Sequence, residues 1–221
     1  AVSGTIASVG QVKNYTFTLA AATRLWFDSR TYSPDLSWKV SGPQGVVVAW
    51  PFESGDRLLS AAGQPAGSLL PAGSYTLSVS GTGDATGGFD FRLLDLASAP
   101  VMSAETEVSG SLPAANGTDI YRLTATAGDR FSFTNLWYAG DGGWWQLLDP
   151  YGRQVFQTAI TSPVEVDLAA TGSYTLVIEG AIDATQPSSY GFVASLVSHT
   201  DPPAVTATTI VPGTAVSGTV G

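Results

Sequence analysis

Residues 74–81 have the sequence Ser-Tyr-Thr-Leu-Ser-Val-Ser-Gly, and residues 173–180 repeat it as Ser-Tyr-Thr-Leu-Val-Ile-Glu-Gly. Each copy follows a glycine. In the first copy apolar residues alternate with serine and threonine, which is the two-residue period of a strand with one buried and one solvent-facing side. The second copy keeps this alternation, although Val177 interrupts its polar side. We therefore predict that each copy is a central strand of a β-sandwich.

A second pattern sets the length of the repeat. The tripeptide Val-Ser-Gly at residues 2–4 recurs at 108–110 and at 216–218, with spacings of 106 and 108 residues. A period this long indicates tandem domains rather than a solenoid of short repeats. Trp38 and Trp145 take equivalent places ahead of a Pro-x-Gly turn, so we predict that both are core residues.

The rest of each repeat consists of about seven or eight short alternating segments, broken by glycine and proline and without a helical period. The sequence therefore predicts an all-β chain of two tandem antiparallel β-sandwich domains of jelly-roll-like type. The third Val-Ser-Gly also leads us to expect that the chain is a piece of a longer polypeptide. The predicted divisions are 1–98 for the first sandwich, 99–107 for a linker, 108–199 for the second sandwich, 200–215 for a Pro/Thr-rich linker, and 216–221 for the start of a third repeat.

Composition excludes several classes of function. With 221 residues, of which 44% are hydrophobic, the chain can build packed cores without outside help. Its 9 basic and 18 acidic residues give a net charge of −9, which argues against binding to nucleic acid or to an anionic membrane surface. No apolar run approaches the ~20 residues that a membrane helix needs. The absence of cysteine excludes disulfides, thiolate metal sites and a cysteine nucleophile.

Several motifs resemble a known family. The opening Val-Ser-Gly occurs together with Asp-Ile-Tyr-Arg-Leu at 119–123, Asp-Pro-Tyr-Gly at 149–152, Thr-Gly-Ser-Tyr-Thr-Leu at 171–176, and Phe-Arg-Leu-Leu-Asp-Leu at 91–96. Together these resemble the bacterial pre-peptidase C-terminal domain and its relatives in large secreted or surface repeat proteins. The first repeat departs from the pattern, with Lys13-Asn14 where Asp119-Ile120 stand in the second. The resemblance implies a jelly-roll accessory module beside proteases, toxins or adhesins, in some relatives binding matrix protein or calcium, and it implies no catalytic residue.

The residues themselves offer little for catalysis. The one histidine, His199, stands just before Pro202-Pro203 in the predicted linker region. A Ser-His-Asp arrangement needs its histidine in a rigid pocket, and a zinc site needs several histidine or cysteine ligands. Paired carboxylates for glycoside hydrolysis are a remaining alternative, although 18 acidic residues form close pairs by chance. We predict that the chain is not an enzyme.

Calcium is the metal that suits this composition, because it takes several oxygen ligands from loops. The candidate ligands are Asp28, Asp35 and Asp141, each at or near a predicted loop. The alternative for each is that it caps a turn through its side chain. The sequence thus predicts no definite cofactor, with calcium as the candidate.

Four tryptophans lack a counterpart in the sister repeat, and polar residues stand at the matching positions. These pairs are Trp26 with Ser132, Trp50 with Gln157, Trp137 with Thr31, and Trp144 with Ser37. We therefore predict that all four face solvent. Trp137 and Tyr138 are placed in a loop that feeds the strand of Trp144, so that these three rings form one exposed patch. Such rings would bind a sugar or peptide, or would contact a neighbouring repeat.

These observations predict non-catalytic tandem modules of a large extracellular bacterial repeat protein, either adhesive or a structural stalk. The alternative is a carbohydrate- or matrix-protein-binding accessory module of a secreted enzyme or toxin. Because acidic, cysteine-free, Gly/Ser/Thr-rich β chains are common among exported bacterial proteins, we expect an extracellular or cell-surface location. The expected partners are neighbouring repeats or subunits, or an extracellular carbohydrate or protein, without nucleic acid or membrane insertion.

Overall fold

The computed structural model describes residues 1–54, 56–60, 64, 66–113, 117–203 and 213. Over these residues the chain is all-β, with sixteen strands in four antiparallel sheets of four strands each. The sheets form two β-sandwich domains in tandem, so the predicted fold class is confirmed. Within the described ranges no helix is long and apolar enough to cross a membrane.

The first sandwich uses the first eight strands. They are β1 (Val2–Ile6), β2 (Val12–Leu19), β3 (Leu25–Ser29), β4 (Leu36–Gly42), β5 (Gly45–Pro51), β6 (Arg57–Leu58), β7 (Gly73–Gly81) and β8 (Gly87–Asp95). Short 3-10 turns follow β5 at Phe52–Ser54 and β8 at Leu96–Ser98. One sheet has the order β1-β8-β3-β6 and the other β2-β7-β4-β5.

The second sandwich repeats this plan. Its strands are β9 (Val108–Leu112), β10 (Thr118–Ala125), β11 (Asp129–Ala139), β12 (Trp144–Leu148), β13 (Gln154–Ala159), β14 (Val164–Leu168), β15 (Gly172–Glu179) and β16 (Ser188–His199). The sheet orders are β14-β11-β16-β9 and β10-β15-β12-β13, which match those of the first sandwich strand for strand. Eight strands in these two orders form a jelly roll, and every sheet draws its strands from one half of the chain.

The repeated Ser-Tyr-Thr-Leu strands, β7 and β15, lie inside their sheets, each between two neighbours. Each strand begins at a glycine with positive φ, Gly73 at 148° and Gly172 at 152°. A Cβ atom on Gly73 would lie 2.5 Å from a side-chain carbon of Pro43, so only glycine fits between strand and turn. The tyrosine that follows, Tyr75 or Tyr174, is buried and donates its hydroxyl hydrogen bond to a backbone carbonyl four residues earlier.

Both predicted core tryptophans lie at the centre of their sandwiches, which confirms that prediction. Trp38 and Trp145 are each 1% exposed. Trp38 stacks on Phe27 with 3.8 Å between the ring centroids, and Trp145 meets Phe133 edge to face at 6.4 Å. Aromatic contacts therefore dominate both cores, in keeping with the large area that such rings bury.

The segment predicted as the first linker packs on the second sandwich. Met102 is buried in the second core, and its backbone N–H bonds to the carbonyl of Arg122 at 2.9 Å. Glu105 donates its backbone N–H to Ala194 and accepts from the N–H of Leu196 through its side chain. Of the predicted second linker, only residues 200–203 and 213 are described, and the predicted start of a third repeat at 216–221 lies outside the described residues.

Candidate functional site

The two sandwiches meet face to face through an apolar cluster, which we call the module interface. Its buried members are Trp26 and Leu96 from the first sandwich and Leu148 and Val177 from the second. Leu58, Leu94 and Ile120 pack against them. Fully burying a side chain of this kind stabilises by roughly 1.5–3 kcal/mol, so the contact holds the two modules together.

Strand register explains why these residues meet. On the outer side of the first sandwich, Trp26 of β3 lies between its cross-strand partners Leu94 and Leu58. On the facing sheet of the second sandwich, Val177 of β15 lies between Ile120 and Gln146. Two sheet faces with apolar rows can pack as the halves of a sandwich do.

The prediction that Trp26 faces solvent is wrong, because it is only 3% exposed. Its direction follows the expected strand alternation, since its neighbour Phe27 points into the core. The second module covers the outward side. A signal was present in the sequence, because Val177 interrupts the polar side of the repeated strand, and it is buried in the same apolar cluster as Trp26.

Next to the apolar rows runs a polar row that links the modules through hydrogen bonds. Arg92 pairs with the buried carboxylate of Asp28, its neighbour across β8 and β3. The same guanidinium donates to the backbone carbonyl of Thr118 in the second module at 2.7 Å. Thr118 in turn donates its hydroxyl hydrogen bond to Asp28 at 3.0 Å.

Asp28 is predicted to lie at or near a loop, and it stands one residue before the end of β3. It lies within β3 with its side chain completely buried. Burial raises the pKa of its carboxyl to about 6, even though the charge and hydrogen bond of Arg92 act in the opposite direction. Its partners are an arginine and a threonine, which is the environment of a structural ion pair at the interface.

Two further carboxyl groups lie beside this pair. Asp56, just before β6, accepts a hydrogen bond from the backbone N–H of Ser29. Burial raises the pKa of Asp56 well above its usual range, and the charges of Glu179 and Asp28 add to the effect. Burial and the charge of Asp28 likewise raise the pKa of Glu179, whereas a hydrogen bond from Gln146 acts against the rise. Acidic side chains from both modules thus converge at one edge of the interface.

This edge opens into a cleft of about 350 Å³, which we call the acidic cleft. Its lining includes Glu53 and Asp56 from the first module and Trp144, Glu179 and Asp183 from the second. Trp144 and Glu179 are cross-strand partners on β12 and β15. Among the described lining residues there is no lysine or arginine. The Oε1 atom of Glu179 is shielded from solvent and makes no hydrogen bond within the part of the chain that the structure describes.

At the opposite end of the interface the two backbones touch. Gly67 and Gly152 both have positive φ, 85° and 81°, and a Cβ atom on Gly67 would lie 2.4 Å from the Gly152 carbonyl oxygen. A second cleft of about 290 Å³ adjoins this contact and includes Arg24 and Asp149. Burial lowers the pKa of Arg24, and the charge of Asp149 opposes that shift.

The predicted patch of Trp137, Tyr138 and Trp144 does not form. Trp144 is 49% exposed and points outward as predicted, because Trp145 beside it enters the core. Trp137 and Tyr138 belong to β11, in the other sheet, rather than to a loop. Tyr138 packs against the second core, whereas Trp137 is 42% exposed and donates its indole N–H to Glu107 at 3.2 Å. Trp137 and Trp144 therefore face away from opposite sheets.

Trp50 lies on β5 and is 39% exposed, as predicted. The guanidinium of Arg57 lies over its ring, 3.5 Å from the centroid. The indole N–H donates to the hydroxyl of Ser54 at 3.2 Å, and Ser54 is one of the residues that line the acidic cleft. An aromatic ring with a stacked cation therefore stands next to the cleft.

The proposed calcium ligands are not brought together. Asp35 and Asp141 are exposed, and they lie in different modules. Each accepts a hydrogen bond at its backbone carbonyl, from the N–H of Thr82 and the hydroxyl of Tyr138 respectively. Across the part of the chain that the structure describes, no group of three or more histidine, cysteine, aspartate or glutamate residues could hold a metal ion, the acidic cleft included.

His199 ends β16 between two carboxylates. Its Nδ1 lies 2.7 Å from Asp129 and its Nε2 2.9 Å from Asp201. These hydrogen bonds raise the pKa of the exposed imidazole, with that to Asp201 contributing most. Asp129 and His199 are also cross-strand partners in the β11–β16 register. The hydrogen bond between their side chains therefore stabilises the end of β16.

Comparison with known proteins assigns no family to the chain. No protein-family model matches the sequence, and no curated protein matches it. Among solved structures the chain is similar to PliG of Aeromonas hydrophila, a periplasmic lysozyme inhibitor of g-type lysozyme. The identity is 19% and the TM-score 0.35, over 44% of this chain and 95% of that one.

Two other solved structures give similar results. The chain is 8% identical to the CUB1-EGF-CUB2 domain of human MASP-1/3, with a TM-score of 0.26 over 87% of this chain and 99% of that chain. It is 12% identical to dimeric latent PorU from Porphyromonas gingivalis, with a TM-score of 0.20 over 86% of this chain and 19% of that chain. All three are distant similarities, and at these TM-scores none of them assigns a function.

Proposed function

We propose that the chain is a non-catalytic pair of jelly-roll modules that acts as a rigid structural unit of an extracellular bacterial protein. The observation that carries the proposal is the module interface, where Trp26 and Val177 are buried in one apolar cluster. Two modules joined by a linker alone would move independently, whereas an apolar contact of this kind fixes their orientation. A fixed orientation is the property that a stalk or an adhesive fibre needs to hold its functional parts apart.

The linker supports the same function. Met102 inserts into the second core, and the backbone of Arg122 bonds to both Pro100 and Met102. The side chain of Arg122 also donates to the carbonyl of Ala99 at 2.8 Å. The connection between the modules is therefore tied down along its length, which removes a second source of relative motion.

The resemblance to pre-peptidase C-terminal domains fits this proposal and remains part of it. The jelly-roll strand orders agree with the fold that the resemblance implies. Such modules accompany secreted and surface proteins, and the proposed extracellular location rests on this resemblance together with the cysteine-free, acidic composition.

Distance measurement between the modules tests the proposal. Because the chain has no cysteine, Val46→Cys and Thr161→Cys introduce one exposed spin-label site in each module. We expect a single narrow distance distribution by pulsed electron paramagnetic resonance, which broadens when Trp26→Ser is added. The matched control is Trp50→Gln, which changes an exposed tryptophan to its sister residue and should leave the distribution narrow. A broad distribution in the doubly labelled parent would refute the rigid unit.

A ligand-binding accessory module is the second candidate, and the half-exposed rings of Trp137 and Trp144 favour it. Rings of this size are common at the centre of binding surfaces. Screening the chain against extracellular glycans and matrix proteins tests this function. Saturable binding that is lost on Trp137→Thr or Trp144→Ser would favour the accessory module over the stalk.

A further inference from the structure

We propose that the acidic cleft between the modules binds an organic cation, namely a primary ammonium or guanidinium group of the kind that lysine and arginine side chains carry. This site is additional to the structural role proposed above, and it rests on that role in one respect, because residues of both modules line the cleft. Three features of the described residues lead to it: an unpaired carboxylate oxygen, an adjacent exposed indole ring, and the lack of a basic residue in the lining.

The unpaired oxygen belongs to Glu179. The residue is partly buried, its Oε1 atom is shielded from solvent, and that oxygen has no hydrogen-bond donor among the described residues. The nearest basic residue of the polar row, Arg92, is already used by Asp28 and the carbonyl of Thr118. A buried acceptor without a donor has lost its hydrogen bonds to water and gained none in return. A ligand whose N–H groups donate to this oxygen would restore a hydrogen bond, and this favours binding.

The indole ring belongs to Trp144. Its position in β12 is directly opposite Glu179 in β15, and residues paired in this way have Cβ atoms ~4.5–5.5 Å apart on the same face of the sheet. A cation held by the carboxylate is therefore within reach of the ring face, where the attraction between cation and π system adds to the ion pair. The alkyl stem of a lysine or arginine would cover the exposed part of the ring.

The charge around the cleft selects a cation. Glu53 and Asp183 join Asp56 and Glu179 in the lining, so four acidic residues border a space whose described lining contains no basic residue. A metal ion is disfavoured, because these side chains do not form a group that could hold one. The chain already contains one contact of the proposed kind beside the cleft. There the guanidinium of Arg57 stacks on Trp50 and donates to the carbonyl of Ser54.

Protonation should be linked to this binding. The charged groups that act on Glu179 or line the same cleft are Asp28 with its partner Arg92, and Asp56, Glu53 and Asp183. Arg57 adjoins the cleft through Ser54, and the charge of Arg30 acts on Asp28. Burial favours the neutral form of Glu179 and Asp56, and a bound cation favours the ionised form. Binding should therefore release protons and should be tighter at pH ~8 than at pH ~5.5.

Titration of the full chain with defined probes tests the site, followed through the indole N–H signals in two-dimensional nuclear magnetic resonance spectra. The probes are n-butylammonium, the capped peptides acetyl-Gly-Lys-Gly-amide and acetyl-Gly-Arg-Gly-amide, and calcium chloride. Acetyl-Gly-norleucine-Gly-amide is the uncharged control for the lysine peptide. We expect saturable shifts of the Trp144 signal with the cationic probes and none with norleucine.

The variants give the decisive comparison. Glu179→Gln and Trp144→Ser should each weaken binding about tenfold, because each removes one charge-assisted or cation–π contact. Trp137→Thr, which changes an exposed ring on the opposite sheet, should leave binding unchanged. Thermal unfolding shows whether each variant is folded. If Glu179→Gln alters the module interface, Trp144→Ser still tests the site, because it removes only a half-exposed ring.

The outcomes separate the sources of the cation. Tighter binding of a peptide than of n-butylammonium identifies a protein side chain as the ligand, and equal binding identifies a free amine. The proposal is overturned if the norleucine peptide binds as well as the lysine peptide. It is also overturned if calcium alone saturates the site, or if Glu179→Gln binds the probes as tightly as the parent chain.

Discussion

Replacing Trp26 by serine should separate the folding of the two modules. Trp26 is 3% exposed and packs in the cluster that joins the two sandwiches. Its indole nitrogen makes no hydrogen bond to any described residue, so the substitution removes packing alone. Truncating a buried tryptophan costs ~3–5 kcal/mol. Serine is the residue at the equivalent position of the second module, Ser132, so it is compatible with this strand in the same fold. The loss should therefore fall on the contact between the modules and leave each sandwich folded.

Urea unfolding followed by tryptophan fluorescence and by circular dichroism measures this effect. The parent chain should unfold in one transition, because the interface couples the modules, and Trp26→Ser should unfold in two. Trp50→Gln is the matched control, because that ring is half-exposed, and it should cost less than ~1 kcal/mol. A single transition in Trp26→Ser with a loss below ~1 kcal/mol would show that the interface does not couple the modules.

Three further predictions concern the same region. Because the folded state raises the pKa of Asp28, Asp56 and Glu179, it binds protons more tightly than the unfolded chain. Stability should fall as the pH rises from ~5.5 to ~8, and Glu179→Gln should raise the free energy of unfolding at pH ~8 by roughly 1–3 kcal/mol in chemical denaturation; an unchanged pH profile would contradict this. Gly67→Ala should destabilise the chain by more than ~1 kcal/mol and lengthen the distance between spin labels in the two modules, because its Cβ would strike the Gly152 carbonyl. Met102→Ala should lower the stability of the second sandwich by ~2–5 kcal/mol in urea unfolding, whereas a free linker would show no loss.

The sequence was sufficient to predict the fold because its signals are local. Alternation in the strands containing Tyr75 and Tyr174, the glycine before each, and the Pro-x-Gly turns are all properties of short segments. The core positions of Trp38 and Trp145 also followed from a comparison of the two repeats. The placement of Trp137 and Tyr138 failed for a physical reason: β11 continues to Ala139 past a register shift between Asn135 and Trp137, and no local residue pattern announced that irregularity.

The candidate site could not be predicted in the same way, because it depends on contacts between modules. Asp28 and Glu179 lie 151 positions apart in the numbering, and nothing in either segment indicates that their carboxyl groups converge. Reading Trp26 as exposed rested on the serine in its sister position. A polar residue at the sister position shows only that the two modules differ there. The tryptophan can then be exposed to solvent, or it can be covered by the other module, as Trp26 is.

Some of the differences between the repeats lie on the faces that meet. The contact joins unlike sheets, β1-β8-β3-β6 of the first module and β10-β15-β12-β13 of the second. The sheet of the first module that corresponds to the second module's contact face has Ser78 where Val177 stands and Asn14 where Ile120 stands.

The second module differs in the same manner on its far side. There Ser132 takes the place of Trp26, between Glu165 and Ser195 rather than between two leucines. A uniform chain of modules joined by one repeated contact would need both apolar faces on every module. Each of these two modules has only one apolar face of this kind. The same contact therefore cannot form again on the remaining faces of these two modules. We therefore expect the pair of modules, rather than the single sandwich, to behave as the rigid unit.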